Sequence, residues 1–201
     1  MIKVADVASI RNGYAFRGRI ESEKDGDTRV IQASDLAVSD ELNAGDLACV
    51  QLGKKAERYK VVDGDLLFIA RGSRLRVFRP RFTKKVDTPV VTASGLLIIR
   101  PKPKKVLSEY LYWLFGTHEV KHQIQVYSVG QTIPFISDKS VGDIKVSVPP
   151  ISAQKKIAKL LELDERRSEI RQKIAAFDKQ IMKVALASLS AGEIKLSLIH
   201  I

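Results

Sequence analysis

The sequence predicts an α+β protein, in which a compact mixed α/β domain precedes a long C-terminal coiled-coil helix. Short apolar runs separated by turn residues fill the first 150 positions, which predicts strands joined by tight turns. Pro149-Pro150 ends that pattern, and neither glycine nor proline follows before Gly192. Because glycine and proline interrupt helices most strongly, their absence predicts one continuous helix. We expect a domain over residues 1–150, a spacer or dimerisation helix over 151–191, and a tail over 192–201 with a possible short strand.

Several segments of the first domain have the composition of strands. Asp63-Gly64-Asp65 is typical of a turn, and two acids around a glycine indicate a turn rather than a metal site. Apolar and β-branched runs predict strands at residues 61–62, 66–70, 89–92, 95–99 and 144–148.

Two helices are expected between these strands. Ser108 suits an N-cap position, and Thr117 is predicted to cap a second helix from about His118 to Tyr127. Apolar side chains at helical spacing in the first of these helices are expected to face the core: Leu107, Tyr110, Leu111, Leu114 and Phe115.

The long helix carries an apolar seam, and Ser152 is placed to cap it near Ala153. Apolar residues recur at alternating spacings of three and four, a pattern that Arg167 alone interrupts: Leu160, Leu163, Ile170, Ile174, Phe177, Ile181 and Val184. The helix should be ~54 Å long, whereas a 150-residue domain has a radius of gyration of ~15 Å. We therefore favour pairing with another helix, with Arg167 fixing the register. Packing of the helix against its own domain is the alternative.

Positive charge is concentrated in one part of the chain. The net charge is +11, and residues 66–108, the basic stretch, hold 11 Lys or Arg against a single acid, Asp87. Such a concentration is typical of a surface that binds a polyanion, although a solvated basic face is the alternative.

Arginine dominates the first half of the basic stretch, and its planar fork suits both phosphate and guanine. Arg74, Arg76 and Phe78 alternate with Leu75 and Val77, as on a strand with one charged face. The candidate nucleic-acid contacts here are Arg71, Gly72, Ser73, Arg74, Arg76, Arg79, Arg81, Lys84 and Lys85. The lysines of this set, with Lys102, Lys104 and Lys105, are expected to steer phosphates.

A second aromatic and basic cluster lies near the N-terminus. Tyr14 and Arg17 are candidate nucleic-acid contacts, and Phe16 lies between them. The alternative is that both aromatic rings belong to the core.

One catalytic motif occurs. His118-Glu119-Val120-Lys121-His122 is an H-E-x-x-H match, which would make the chain a zinc hydrolase. Lys121 opposes a metal, no third ligand follows at a familiar spacing, and the motif opens its helix. No glycine-rich phosphate loop, G-x-S-x-G motif, Cys/His pair, amino-methyltransferase motif or nuclease motif is present. We expect no catalytic residue and no metal in this chain.

The remaining composition indicates a cytoplasmic protein. Cys49 is the only cysteine, no run approaches the ~18 apolar residues of a membrane span, and the first residues lack a signal-peptide core.

Several short motifs follow one another in the order typical of the specificity subunit of type I restriction-modification systems, and the sequence therefore resembles that family. The matching segments are residues 10–17, residues 64–68, Arg71-Gly72-Ser73, residues 130–134, and Val148-Pro149-Pro150-Ile151 with residues 154–158. On this resemblance Gln131 and Thr132 join the candidate DNA contacts. Family members usually carry two recognition domains and two spacer helices, so this chain resembles a half-size subunit.

The resemblance implies a non-catalytic DNA-recognition subunit of a multisubunit enzyme. One domain would read half of a bipartite double-stranded DNA target, and antiparallel pairing of two helices would set the distance to the other half. Its implied partners are modification subunits, which bind S-adenosylmethionine and methylate adenine, and a restriction subunit. No cofactor is expected in this chain. A coiled-coil adaptor that binds other proteins, with an incidental basic face, is the alternative from another class.

Overall fold

The computed structural model describes residues 1–36, 41–72, 75–130 and 132–190. The chain divides into two compact units, Met1–Lys155 and Lys156–Ile201, so the boundary lies inside the long helix. The predicted fold class, a mixed α/β region followed by a long C-terminal helix, is confirmed. Ser73, Arg74, Gln131 and the predicted tail lie outside the described residues.

Strands and helices alternate through the first unit. The strands are β1 (Ile2–Lys3), β2 (Ala8–Asn12), β3 (Thr28–Ile31), β4 (Glu41–Leu42), β5 (Ala48–Val50), β6 (Leu66–Ile69), β7 (Arg76–Phe78), β8 (Arg81–Phe82), β9 (Val90–Thr92), β10 (Leu96–Pro101) and β11 (Lys145–Val146). The helices are α1 (Val4–Val7), α2 (Ala56–Tyr59), α3 (Ser108–Gly116), α4 (His118–Tyr127), α5 (Asp138–Asp143) and α6 (Ile151–Ser190), with 3-10 turns at Ala44–Asp46 and Gly53–Lys55.

A four-stranded antiparallel sheet with the order β2-β10-β6-β7 is the centre of the first unit. At one end, the Gly95 end, β2 and β6 finish and β7 and β10 begin, since Ile69 pairs with both Leu96 and Arg76. At the other, the Asp65 end, β2 and β6 begin and β7 and β10 finish.

A three-stranded sheet with the order β5-β3-β9 packs against the first. Ile31 and Val90 from this sheet share one buried cluster with Leu67, Phe78 and Ile98 from the four-stranded sheet. Because a fully buried side chain of this size stabilises a fold by about 1.5–3 kcal/mol, this cluster holds the two sheets together. The pairs β1-β11 and β4-β8 form two further small sheets.

An ion pair closes the Asp65 end. The Asp65 carboxylate is 2% exposed and accepts hydrogen bonds from Arg100 Nε and Nη2, each at 2.7 Å. It also accepts one from the Val62 amide at 2.9 Å, within the predicted turn at residues 63–65, which is confirmed. The carboxylate is therefore a structural group.

Some predicted boundaries were wrong. Residues 61–62 form no strand. The Val61 amide donates to the Val90 carbonyl of the neighbouring strand, but the Val62 amide donates to the Asp65 carboxylate instead. The strand predicted at 144–148 is limited to Lys145–Val146, because β1 has only two residues, Ile2 and Lys3, to pair with it. Ser108 lies inside α3 rather than capping it, and its hydroxyl donates to the Gly64 carbonyl at 2.8 Å.

Helices α3 and α4 otherwise follow the predicted pattern. Thr117 Oγ1 caps α4 by accepting from the Val120 amide. Four of the five apolar side chains assigned to the core in α3 are buried, and Leu107, which precedes the helix, is half-buried.

Helix α6 begins at Ile151, before the predicted Ser152 cap, and its first turn belongs to the first unit. There Gln154 is fully buried. Its amide nitrogen donates to the carbonyls of Lys105 (3.1 Å) and Pro149 (2.8 Å), and its oxygen accepts from the Leu107 amide (2.9 Å). One side chain thus satisfies three backbone groups of the domain.

In the second unit, the apolar seam of α6 faces solvent. The seven apolar seam residues are 49–67% exposed, and Arg167 pairs with Asp164 one turn earlier. An exposed apolar stripe of this kind is typical of interaction surfaces, and pairing of the seam stays a prediction. No helix in the described parts of the chain is long and apolar enough to cross a bilayer.

Candidate nucleic-acid interface

The Gly95 end of the four-stranded sheet gathers several of the predicted DNA contacts. Tyr14 follows β2, and its backbone bonds Thr92 and Ser94 beside the Gly95 turn. Arg71 and Gly72 follow β6, and Arg76 begins β7. Chain direction brings these positions, which are up to 62 residues apart in sequence, to one edge of the sheet.

Around Tyr14 the aromatic rings form a cluster. The Tyr14 ring lies 4.7 Å from Phe16 and 5.2 Å from Tyr59, both edge to face, and the Arg58 guanidinium lies 5.8 Å from the Tyr59 ring. Tyr14 and Phe16 are half-buried, so each ring contributes to packing and keeps a solvent-facing part. Arg17 is exposed on the segment that follows.

Strand β7 exposes Arg76 and buries Val77 and Phe78. The predicted charged face therefore does not include Phe78, because this edge strand is covered on both faces at its C-terminal end and Phe78 joins the core cluster. The Arg76 guanidinium stacks over the Phe78 ring at 4.2 Å. Stacking of this kind orients a guanidinium while its edge stays available to a ligand.

A short hairpin stands beside Arg71. Val129 and Phe135 exchange two backbone hydrogen bonds, and the Gly72 amide donates to the Pro134 carbonyl at 2.9 Å. The segment with Thr132, which is exposed, is thereby attached to the end of β6. The hairpin that carries Thr132 is thus bonded to Arg71 and Gly72 through Phe135 and Pro134.

The remaining predicted contacts lie at the Asp65 end. Arg81, Lys84 and Lys85 line an open cleft of about 600 Å³ together with Lys60 and Asp63. Four cations face one acid in this cleft, which favours binding of an anionic backbone. Lys85 lies 3.8 Å from Asp87, an exposed and weak pair.

Arg79 directly follows β7 at the Asp65 end but does not line this cleft. Its guanidinium lies 3.6 Å from the Glu109 carboxylate and 5.7 Å from the Tyr112 ring. The basic stretch is thus divided between opposite ends of the sheet, which the three residues of β7 separate by roughly 10 Å. Two short basic surfaces replace the single charged face that the sequence suggests.

Arg100, Lys102 and Lys105 of the basic stretch also bind groups of the protein itself. The hydrogen bond to Asp65 raises the pKa of Arg100, so this guanidinium is fixed in the fold. The ammonium groups of Lys102 and Lys105 donate to the Asp6 carbonyl at the end of α1. Both lysines are exposed, and their expected role of steering phosphates stays a prediction.

The H-E-x-x-H motif forms the exposed first turns of α4. His118, Glu119 and His122 all face solvent. Within the residues that the structure describes, no three His, Cys, Asp or Glu side chains are grouped as metal ligands. The geometry gives the zinc-hydrolase interpretation no support, since such a site needs a third ligand in a closed environment.

Sequence reasoning missed several residues at these surfaces. Lys60 completes the cleft at the Asp65 end, and Lys121 of α4 lies beside Gly72 in a groove of about 300 Å³. Trp113 is 38% exposed and lines a neighbouring hollow with Arg76. No local motif marks these residues as nucleic-acid contacts, because each reaches its surface through the packing of distant segments.

Comparisons with known proteins confirm the resemblance to type I specificity subunits. The family described as "Type I restriction modification DNA specificity domain" matches residues 1–176. The chain is 26% identical over 183 residues to the type I restriction enzyme MjaIX specificity subunit of Methanocaldococcus jannaschii, covering 86% of this chain and 41% of that protein. It is 25% identical over 126 residues to the putative MjaX specificity subunit of the same organism, covering 61% of this chain and 29% of that protein.

Solved structures share the fold. The S subunit of a type I system from M. genitalium matches with a TM-score of 0.56 and 11% identity, covering 93% of this chain and 44% of that one. The HsdS subunit from Thermoanaerobacter tengcongensis matches with a TM-score of 0.56 and 15% identity, covering 89% and 38%. A chain from a study of type I R-M complex assembly matches with a TM-score of 0.64 and 15% identity, covering 94% and 44%. The chain thus spans less than half the length of these relatives. Since the family match covers most of the sequence, the chain belongs to the type I restriction-modification DNA specificity domain family.

Proposed function

We propose that this chain recognises a specific double-stranded DNA sequence as the non-catalytic specificity component of a type I restriction-modification complex. The observation that carries the proposal is the convergence of Arg71, Gly72, Arg76 and Tyr14 at the Gly95 end, inside the family-matched region. Arginine forks and a close backbone are suited to base edges and phosphates. The cleft at the Asp65 end supplies the sequence-independent contacts to phosphate.

Pairing through α6 extends the proposal to the form of the target. The exposed seam supports association of two copies with antiparallel helices, each copy reading one half-site. A two-fold protein of this kind predicts a bipartite, inverted-repeat target whose central gap is fixed by the helix. Separate modification subunits would bring S-adenosylmethionine and carry out adenine methylation, and a restriction subunit would cleave the DNA. The reaction chemistry would then belong to those partners, in a cytoplasmic complex.

An adaptor that binds other proteins is the second candidate. The exposed seam alone fits an adaptor equally well, because a helix pair needs no DNA. What favours DNA recognition is the gathering of cations on the domain rather than on the seam.

A selection experiment tests the proposed function. Purified full-length chain is incubated with a pool of random duplexes at about 50 mM and at about 200 mM salt, and bound DNA is sequenced. We expect an inverted bipartite motif and a steep fall in affinity between the two conditions, by roughly 10³ for six or more phosphate contacts. Binding without sequence preference, or with an affinity insensitive to salt, would favour the adaptor.

A further inference from the structure

Exposed apolar side chains surround the hairpin at the Gly95 end. Ile133 at its tip is 59% exposed, and the paired residues Val129 and Phe135 are 53% and 40% exposed. Val126 of α4, close by in sequence, is 66% exposed. A cluster of solvent-facing apolar side chains on one short hairpin indicates a surface that becomes covered in use.

The base of this hairpin is held by backbone hydrogen bonds. The pair Val129–Phe135 is closed by hydrogen bonds of 2.9 and 2.8 Å, and Ile136 donates to the Ala70 carbonyl at 2.9 Å. Gly130 adopts a φ of +98°, and a Cβ there would lie 2.7 Å from the Ile133 carbonyl oxygen. Position 130 therefore requires glycine, because any side chain there would meet the Ile133 backbone.

The rim of the tip is cationic. The Arg71 guanidinium lies 5.9 Å from the Phe135 ring, and Lys121 lines the groove next to Pro134 and Gly72. The groove contains no acidic side chain among its described lining residues. An apolar centre with positive flanks is complementary to DNA, whose stacked bases are apolar and whose backbone is anionic.

We propose that the hairpin at Val129–Phe135 acts as an apolar wedge. Ile133 would enter a base step from the minor groove while Arg71 and Lys121 neutralise the flanking phosphates. This inference rests on the proposed function. It adds that the chain deforms its DNA, by a kink of roughly 20–90°, in addition to reading it. The cations beside the tip favour DNA over a protein partner, because they complement the phosphate backbone.

The test measures DNA shape as well as affinity. The duplex selected by the wild-type chain carries donor and acceptor dyes at its ends to report bending, and 2-aminopurine at successive steps to report unstacking. Full-length wild type is compared with Ile133→Ser, with Ile133→Leu, which keeps an apolar tip, and with Gly130→Ala, which displaces it. Ile2→Ser is the matched control, because Ile2 is an isoleucine of β1 that is 40% exposed.

We expect the wild-type chain to bend the duplex and raise 2-aminopurine fluorescence at one step. Ile133→Ser and Gly130→Ala should lose both signals and bind roughly tenfold more weakly, which corresponds to about 1.4 kcal/mol. Ile133→Leu and Ile2→Ser should behave as wild type. Thermal melting of Ile133→Ser checks that the exposed substitution leaves the fold intact.

Each other outcome overturns the wedge. A wild-type complex with straight, fully stacked DNA rejects the wedge and leaves sequence recognition standing. The wedge is rejected in the same way if Ile133→Ser bends DNA normally. Should that variant bend DNA normally but fail to bind the modification subunits, the tip is a protein-docking surface. If the wild-type chain binds no duplex, the proposed function fails and the wedge fails with it.

Discussion

The two units of this chain differ in how their large apolar side chains are exposed to solvent. In Met1–Lys155 the large apolar side chains of β6 and β10 are buried, and polar groups such as Asp65 and Gln154 find partners within the same unit. In α6 beyond Lys155 the seam residues stand in solvent. The Asp65 and Gln154 side chains therefore meet their partners within one unit, whereas the seam is proposed to meet its partner in another chain. Substitutions in the first unit should cost folding stability, and those in the second should cost association.

The largest expected effect comes from the seam. Ile174→Asp combined with Ile181→Asp should abolish self-association of the chain, measured by sedimentation equilibrium. A two-fold helix pair would lose four buried isoleucines, which costs more than about 4 kcal/mol and weakens the dimer by roughly 10³.

The control for the seam carries the same added charge on the outer face of α6. Gln172→Asp combined with Ala176→Asp changes two exposed positions off the seam and should stay dimeric. A wild-type chain that is already monomeric would contradict self-pairing, and a dimeric seam variant would assign association to another surface.

Gln154 tests the prediction that substitutions in the first unit cost folding stability and not association. Gln154→Ala leaves the Leu107 amide and the Lys105 and Pro149 carbonyls without their partner in a buried site. We expect a loss of about 2–4 kcal/mol in the free energy of unfolding, measured by urea denaturation. The seam should still dimerise, because the change lies in the first unit.

Gln123 provides the comparison for Gln154. It also binds backbone groups in both directions, to the Lys145 amide at 2.8 Å and its carbonyl at 2.9 Å, but it is only half-buried. Water can replace both bonds, so Gln123→Ala should cost about 1 kcal/mol or less. If the two variants lost the same free energy of unfolding, burial would not explain the contribution of Gln154.

The sequence predicts the parts of this structure that depend on local pattern. The turn at residues 63–65, the Thr117 cap and the seam of α6 follow from turn chemistry and helical spacing, and all appear where expected. The Ser152 cap fails, because the Pro150 carbonyl already accepts from the Ala153 and Gln154 amides and so starts the helix earlier. The Gln154 side chain also fastens this first turn to the distant residues Lys105 and Leu107. Gln154 itself looks like an ordinary polar residue of a helix.

The candidate interface is harder to predict for the same reason. The density of arginine marks the basic stretch but not its division between the two ends of the sheet, which follows from the antiparallel pairing of β6 and β7. Lys60 and Lys121 join these surfaces only through tertiary contacts. The assignment of individual DNA contacts stays a prediction.

Substitutions at Arg76 and Lys84 should have smaller effects, on DNA affinity, and they distinguish base reading from phosphate steering. Arg76→Ala should weaken specific binding by about 1–3 kcal/mol and relax the preference at one base, because a bidentate fork is lost. Lys84→Ala should weaken binding to all sequences alike and lower the slope of log affinity against log salt by about 1.

The conservative variant Arg76→Lys decides between the two roles. It keeps the charge and loses the fork, so a base reader loses specificity while a steering residue does not. Competition binding against the selected duplex and a scrambled duplex gives both quantities. Loss of the Phe78 stacking should cost at most about 1 kcal/mol of folding stability.

The smallest effect concerns an exposed ion pair of the first unit. Lys3 Nζ donates to the Asp143 carboxylate at 2.7 Å, and this bond lowers the pKa of Asp143 and raises the pKa of Lys3. A lowered carboxyl pKa stabilises the fold above the ordinary value of 3.8 and is lost as pH falls through the folded pKa. A raised ammonium pKa stabilises it below 10.5 and is lost as pH rises through the folded pKa. Asp143→Asn should therefore lower the urea midpoint slightly between about pH 5 and pH 9, and the difference from wild type should vanish once the pH has fallen below the lowered pKa of Asp143. A difference that persists in acid would mean that Asp143 acts through packing and not through its charge.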